Sequence, residues 1–352
     1  MPTSFPPIFD GHNDTILRLH TAKSDTNYSF FRDNEGLHID LPKAKAGGLG
    51  GGFFAIFVPN REPMSGFPGT QGSSYAMPLP KPLHRTYAMN FVTGMAARML
   101  RLEAESGGQV TIVRTADELS AALDTGVLAM ILHFEGAEAI DRNFDTLHVF
   151  YAAGLRSLGL VWSRPNIFAH GVPFQFPSSP DIGPGLTAAG KALVRECNRL
   201  GVMVDLSHLN EKGFWDVEAI SDAPLVATHS GAHALCATPR NLTDKQLDAI
   251  AASGGVAGAN FHTGFLRQDG RSKEKTPLTE IVRHVNYMVE RMGIDHVALG
   301  SDFDGATMPT DLVNAAGLPK LMAALQDAGY NAEELAKIAN GNWQRVLRAT
   351  WK

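Results

Sequence analysis

Cysteine is nearly absent: Cys197 and Cys236 are the only two in 352 residues. At most one bridge is possible, which excludes a disulfide-built secreted scaffold and points to a reducing compartment. Long apolar runs are also missing. Stretches such as Gly52 to Pro59 and Leu128 to Leu132 fall far below the ~20 residues that cross a bilayer, and the mean hydropathy is -0.08. Residues 1–10 carry Pro6 and Pro7 and no charged segment leading into an apolar one, so no export signal is read there. Basic clusters are lacking too: 31 Lys+Arg stand against 36 Asp+Glu, a formal charge of -5, and no nucleic-acid partner is expected. No fixed-period repeat or linker interrupts the chain. What remains is a cytosolic protein free of the membrane, with 44% hydrophobic residues to build a core, read as one domain over 1–352.

Short runs rich in Val, Ile, Leu and Phe recur along the chain and most are followed by helical periodicity. Eight stand out: Ile8 to Asp10, Gly52 to Val58, Leu128 to Phe134, Arg156 to Val161, Val202 to Leu206, Leu225 to Thr228, Val256 to Phe261 and Val297 to Gly300. Helical segments fall around 85–105, 144–153, 187–200, 211–221, 243–252 and 277–292. Eight strands alternating with helices predict an α/β fold of the (β/α)8 TIM-barrel type. Long Pro/Gly/Ser-rich inserts follow the second run (60–82) and the fourth (163–185), and a closing helix is expected over 331–348. The glycines from Gly47 to Gly52 precede a strand instead of joining a strand to a helix. They read as close backbone packing and not as a phosphate loop.

Chemistry-bearing residues sit where these strands end. His12 and Asp14 close the first, Glu135 the third, His208 the fifth, His229 the sixth and Asp302 the eighth. A barrel gathers the C-terminal ends of its strands into one mouth, so three imidazoles and three carboxylates meet there. Imidazole and carboxylate without thiolate suit Zn²⁺, and six ligands exceed what one tetrahedral ion takes. Two metal ions are the expectation. A hydroxide held between two metals stays nucleophilic near neutral pH, one ion polarises the scissile carbonyl, and a neighbouring carboxylate moves the proton to the leaving amine. His133 is read as a buried core residue, and His233 and His262 as loop residues near the mouth. Cys197 and Cys236 are read as free thiols.

The segments D-G-H-N-D, H-F-E-G, V-D-L-S-H, T-H-S with Arg240-Asn241, and G-S-D-F-D-G occur in the order and rough spacing of the membrane dipeptidase (renal dipeptidase) family. The resemblance runs from about Phe9 to Trp343. It implies a dizinc dipeptidase on an amidohydrolase-like TIM barrel, with tolerance of a D-residue at the C-terminal position. It implies that His12, Asp14 and Asp302 bind one zinc, that His208 and His229 bind the other, and that Glu135 bridges both. Glu135 and Asp302 are then the catalytic carboxylates, Asp302 being the proton shuttle, with Asp304 in a supporting role. Arg240 would hold the substrate's C-terminal carboxylate, His262 would touch substrate, and a homodimer is expected.

The chain departs from the family pattern at Trp162, where many members carry a His that hydrogen-bonds the substrate carbonyl. The indole is expected to narrow the pocket, with His170 as a substitute donor. Two other readings stay open: a related dizinc amidohydrolase acting on N-acyl amino acids, lactones or phosphotriesters, and a non-catalytic barrel that binds metal or peptide. Many such amidohydrolases carry a carboxylated Lys at the end of the fourth strand, and no Lys lies near Trp162.

Overall fold

The computed structural model describes residues 5–22, 28–62, 74–272 and 275–352. Among them eleven strands form: β1 Ile8–Asn13, β2 Leu49–Phe57, β3 Tyr75–Ala76, β4 Val110–Ile112, β5 Leu128–Glu135, β6 Leu155–Gly159, β7 Gln175–Phe176, β8 Met203–Asp205, β9 Val226–Ala227, β10 Val256–Asn260 and β11 Val297–Gly300. Eight of these make one parallel sheet in the order β1-β2-β5-β6-β8-β9-β10-β11, while β4 pairs the first residues of β5. The sheet curls until its ends meet: Asp302 N donates to His12 O at 2.9 Å and Asp14 N to Phe303 O at 2.8 Å. Sheet order follows chain order and helices fill the crossovers, which is a (β/α)8 barrel. Each of the eight expected runs is one of its strands.

The expected outer helices are present, among them Arg85–Glu105, Ala188–Leu200 and Thr279–Met292. Starts are set by caps, as where Thr187 and Asn210 accept amides three residues on. The closing segment departs from a single helix. Ala332–Ala336 runs into a wide π turn over Lys337–Gly341 before Asn342–Thr350 resumes. The reason is tertiary: Asn340 donates to Pro7 O, and Asn342 to Ile294 O and Val297 O, so the extra residue turns both amides and Trp343 inward.

Trp343 fills the bottom of the barrel. It is fully buried among Phe9, Phe53, Ile131, Met203, Val226, Val256 and Ala298, and its Nε1 donates to Leu299 O at 3.2 Å. Removing such a side chain costs about 3 to 5 kcal/mol. Gly11 is required above it, because a Cβ there would lie 2.3 Å from Thr228 O and 2.7 Å from the indole. The Gly47 to Gly52 stretch is likewise a packing device, a Cβ on Gly47 falling 1.8 Å from Ala315 O.

The two inserts are joined over the mouth. Tyr75 and Ala76 pair antiparallel with Phe176 and Gln175, and Met77 N donates to Phe174 O at 2.9 Å. Positions 63–73 of the first insert lie outside the described residues. Among the described residues no helix is long and apolar enough to cross a membrane.

Candidate active site

Local backbone geometry aims the strand-end residues. His208 and Asp302 adopt left-handed φ of 67° and 62°, and Gly136 after Glu135 has φ 101°. Non-glycine residues avoid this region, and their presence here is strain held by the surrounding barrel. The turns swing the imidazole of His208 and the carboxylate of Asp302 back over the mouth instead of continuing up the strand.

All six expected ligands meet. Glu135 Oε1 lies 3.0 Å from His208 Nε2 and 3.7 Å from both His12 Nε2 and His229 Nε2. His12 Nε2 is 3.7 Å from Asp14 Oδ2, and His208 Nε2 is 3.2 Å from His229 Nε2. Two triads of ligand atoms, His12-Glu135-His229 and His12-Asp14-Asp302, each fall within 4.8 Å of one another. Both ring nitrogens of His12 and Oδ1 of Asp14 are buried without a hydrogen-bond partner. Orphaned donors and acceptors of this kind, converging with three carboxylates, fit a cation better than any protein group.

The electrostatics agree. Burial pushes the Glu135 carboxyl well above its ordinary range, opposed by His12 and reinforced by Asp14 and Asp302. Burial would depress His12, but Glu135 and Asp14 outweigh it and lift the imidazole to about 10. Burial holds His208 and His229 well below their usual value, so both are neutral and offer lone pairs. Crowded carboxylates around neutral imidazoles form a cation-seeking pocket.

Three residues that the sequence did not flag orient these ligands. Thr228 Oγ1 donates to Asp205 Oδ2 at 2.6 Å and lies 2.8 Å from His229 Nδ1. Its hydroxyl proton is committed to the carboxylate, so it accepts from Nδ1–H, and the lone pair of His229 is forced onto Nε2. Ser163 Oγ contacts His208 Nδ1 at 2.8 Å, and Asn260 Nδ2 donates to Asp302 Oδ2 at 3.0 Å. Their one legible signal was polarity at strand ends.

Above the ligands opens a cavity of about 640 Å³. Asp14, Glu135, His208 and Asp302 reach its surface, and Phe57, Trp162, Phe174 and Phe265 supply its aromatic wall. Trp162 packs 5.0 Å from Phe57 and 5.4 Å from Phe174 between ring centres. Behind it Arg164, also unforeseen, is buried on Glu138 at 2.7 Å. Arg240 is buried and is not among the residues that line the cavity; it donates to His229 O at 3.1 Å and lies 5.3 Å from the ring centre of Phe265, which does line it, with Nε unpartnered. His262 lines the cavity, and its Nδ1 faces the Thr307 backbone, 3.2 Å from N and 3.4 Å from O, which leaves Nε2 unengaged by that contact. His170 does not line the cavity. It is half-buried and its carbonyl accepts from Asn210 N. His133 is buried on Ser157, His233 contacts Ser178 O, and both cysteines are unbridged. Asp304 is bound by Thr15 and by the amides of His38 and Ile39, a scaffolding role.

The family model described as membrane dipeptidase (peptidase family M19) matches residues 3–352. The chain belongs to this family. As a member of the membrane dipeptidase family it is a metallo-dipeptidase, a hydrolase acting on peptide bonds. A Rhodobacter sphaeroides metallopeptidase, solved with a phosphinate mimic of the dipeptide L-Ala-D-Ala, is 45% identical, covers 99% of this chain and 100% of its own, and superposes with a TM-score of 0.91. A structure described as dipeptidase AC is 46% identical over 99% of both chains, with a TM-score of 0.90. An uncharacterised Klebsiella pneumoniae protein from the pqqA 5′ region is 51% identical over 73% of this chain and 94% of its own.

Proposed function

We propose that this family member is a binuclear zinc dipeptidase, in which His12, Asp14 and Asp302 hold one ion, His208 and His229 the other, and Glu135 serves both. The observation that carries the reading is the position of Glu135 Oε1, within 3.0 to 3.7 Å of three imidazole Nε2 atoms delivered by the C-terminal ends of three different strands. Bound zinc would supply Lewis acidity to the scissile carbonyl and to the attacking water. Asp302, half-buried at the cavity floor and steered by Asn260, takes the proton of that water and delivers it to the leaving amine.

Arg240 binds the C-terminal carboxylate of the substrate with the N–H groups that no protein partner occupies. His262 contacts the bound substrate, and Trp162 shapes the side-chain pocket. A D-residue at the C-terminal position fits the same arrangement, and the mimic bound by the Rhodobacter relative supports it. The whole of 1–352 then works as one domain, in the cytosol and as a homodimer, the last checked by sedimentation.

The deciding experiment is metal analysis of the purified protein followed by a dipeptide panel varying both side chains and C-terminal chirality. About two zinc ions per chain with turnover of dipeptides is the expected result. Full metal loading without turnover would favour a non-catalytic barrel.

A further inference from the structure

One charged group at the mouth is unused by this mechanism. Arg18 stands on the helix Thr15–Thr21 after β1 and lines the cavity beside Asp302 and Asp304. Its Nε donates to the backbone carbonyl of Asp304 at 2.8 Å, which fixes the direction of the guanidinium fork. Arg18 makes no ion pair with the nearby carboxylate of Asp304. That group is already saturated by Thr15 Oγ1 at 2.6 Å, His38 N at 2.6 Å and Ile39 N at 3.3 Å. Among the described residues Arg18 has no ion-pair partner and carries the one guanidinium or ammonium group in the cavity lining.

Its two Nη groups make no hydrogen bond to the described residues, and the paired N–H donors of a guanidinium match a carboxylate. Position decides which part of a substrate they meet. Arg240 follows β9 and hydrogen-bonds His229, whereas Arg18 follows β1 and is tied to the segment after β11. The candidate ligands span these two sides, with His12 and Asp14 on the β1 side and His229 on the β9 side. With the C-terminal carboxylate of a dipeptide on the β9 side and its peptide bond over the cluster, the N-terminal residue would fall on the β1 side, where Arg18 lines the cavity.

We propose that Arg18 recognises an acidic side chain on the N-terminal residue, so that dipeptides beginning with Asp or Glu are the preferred substrate class. The proposal rests on the dipeptidase reading and deepens it. The test compares kcat/KM of the zinc-loaded enzyme on L-Glu-L-Ala and its neutral isostere L-Gln-L-Ala, for wild type, Arg18→Met and Arg18→Lys. Wild type should favour the acidic substrate about fivefold or more, chiefly through KM and less so at high salt. Arg18→Met should bring the ratio close to one, and Arg18→Lys should restore part of it. A wild-type ratio of one or below, or a ratio unchanged in Arg18→Met, overturns the assignment and leaves Arg18 as a brace for the Asp304 loop. Wild type that cleaves no dipeptide refutes the dipeptidase reading itself, a result distinct from loss of discrimination.

Discussion

Replacing Thr228 by Val removes one hydroxyl and keeps the side-chain shape, which isolates its role in presenting His229. Two buried groups lose a partner: Asp205 Oδ2, now bonded at 2.6 Å, and His229 Nδ1–H, now at 2.8 Å. Asp205 Oδ1 keeps the amides of Ser207 and Thr228, so the loop between β8 and the ligand stays anchored. Each orphaned group costs about 1 to 3 kcal/mol, which caps the loss of fold stability near 6 kcal/mol. On the site itself the imidazole is free to rotate or to carry its proton on Nε2. Metal affinity should fall about 10- to 100-fold, the usual cost of removing a partner behind a ligand. Competition with a chromophoric chelator reads that affinity directly, and thermal melting reads stability. Thr228→Ser, which keeps the hydroxyl, should restore most of both. If Thr228→Val binds two ions with wild-type affinity, the hydroxyl does not set the tautomer and the argument fails.

Glu135→Gln should strip metal from both halves of the site, because one carboxylate oxygen faces all three imidazoles, and retention of two tight ions with normal turnover would contradict the bridge. Arg240→Met should lower kcat/KM on dipeptides by about 2 to 4 kcal/mol in transition-state binding, and amidated dipeptides and tripeptides should be poor substrates for wild type. Equal hydrolysis of a dipeptide and its amide would remove Arg240 from the site. Trp162→Ala should widen side-chain acceptance with metal content unchanged, and His170→Ala should be silent in kcat. A loss of about 100-fold in His170→Ala would instead restore it as a carbonyl donor. Without metal His12 keeps its proton to about pH 10, since burial is outweighed by Glu135 and Asp14. Zinc must displace that proton, so affinity should rise with pH and uptake at neutral pH should release protons. Calorimetric heats identical in buffers of different ionisation enthalpy would show otherwise.

The barrel was legible because each strand is a short apolar run that ends in a polar residue, and the convergence of the six candidate ligands was legible because imidazole and carboxylate cluster at those ends. Ser163, Thr228 and Asn260 were not, for a physical reason. Serine, threonine and asparagine are common at strand ends and turns; Ser163 and Asn260 lie 45 and 42 positions from the side chains they contact, and Thr228, although next to His229, is set by Asp205, 23 positions back. Arg164 escaped notice because its counter-ion Glu138 is 26 positions distant. His170 looked available because its insert reads as free loop, whereas pairing of Gly171 with Leu209 and of Gln175 with Ala76 fixes the path of that loop. Trp343 was visible as a residue on an apolar helix face. Its entry into the barrel depended on the π turn, which arises from asparagine contacts with distant carbonyls.

That indole bears on biosynthesis. A ribosome releases all eight staves of the barrel before it releases the bolt that plugs them, since Trp343 comes after every strand in the order of translation. Until then the space bounded by Phe9, Phe53 and Met203 lacks its largest occupant. The nascent chain must wait with a loosely packed, sticky interior, the condition in which chaperones are most needed. Closure of the barrel's centre therefore follows synthesis of every strand, and a chain cut short before Trp343 would lack the plug for its own centre.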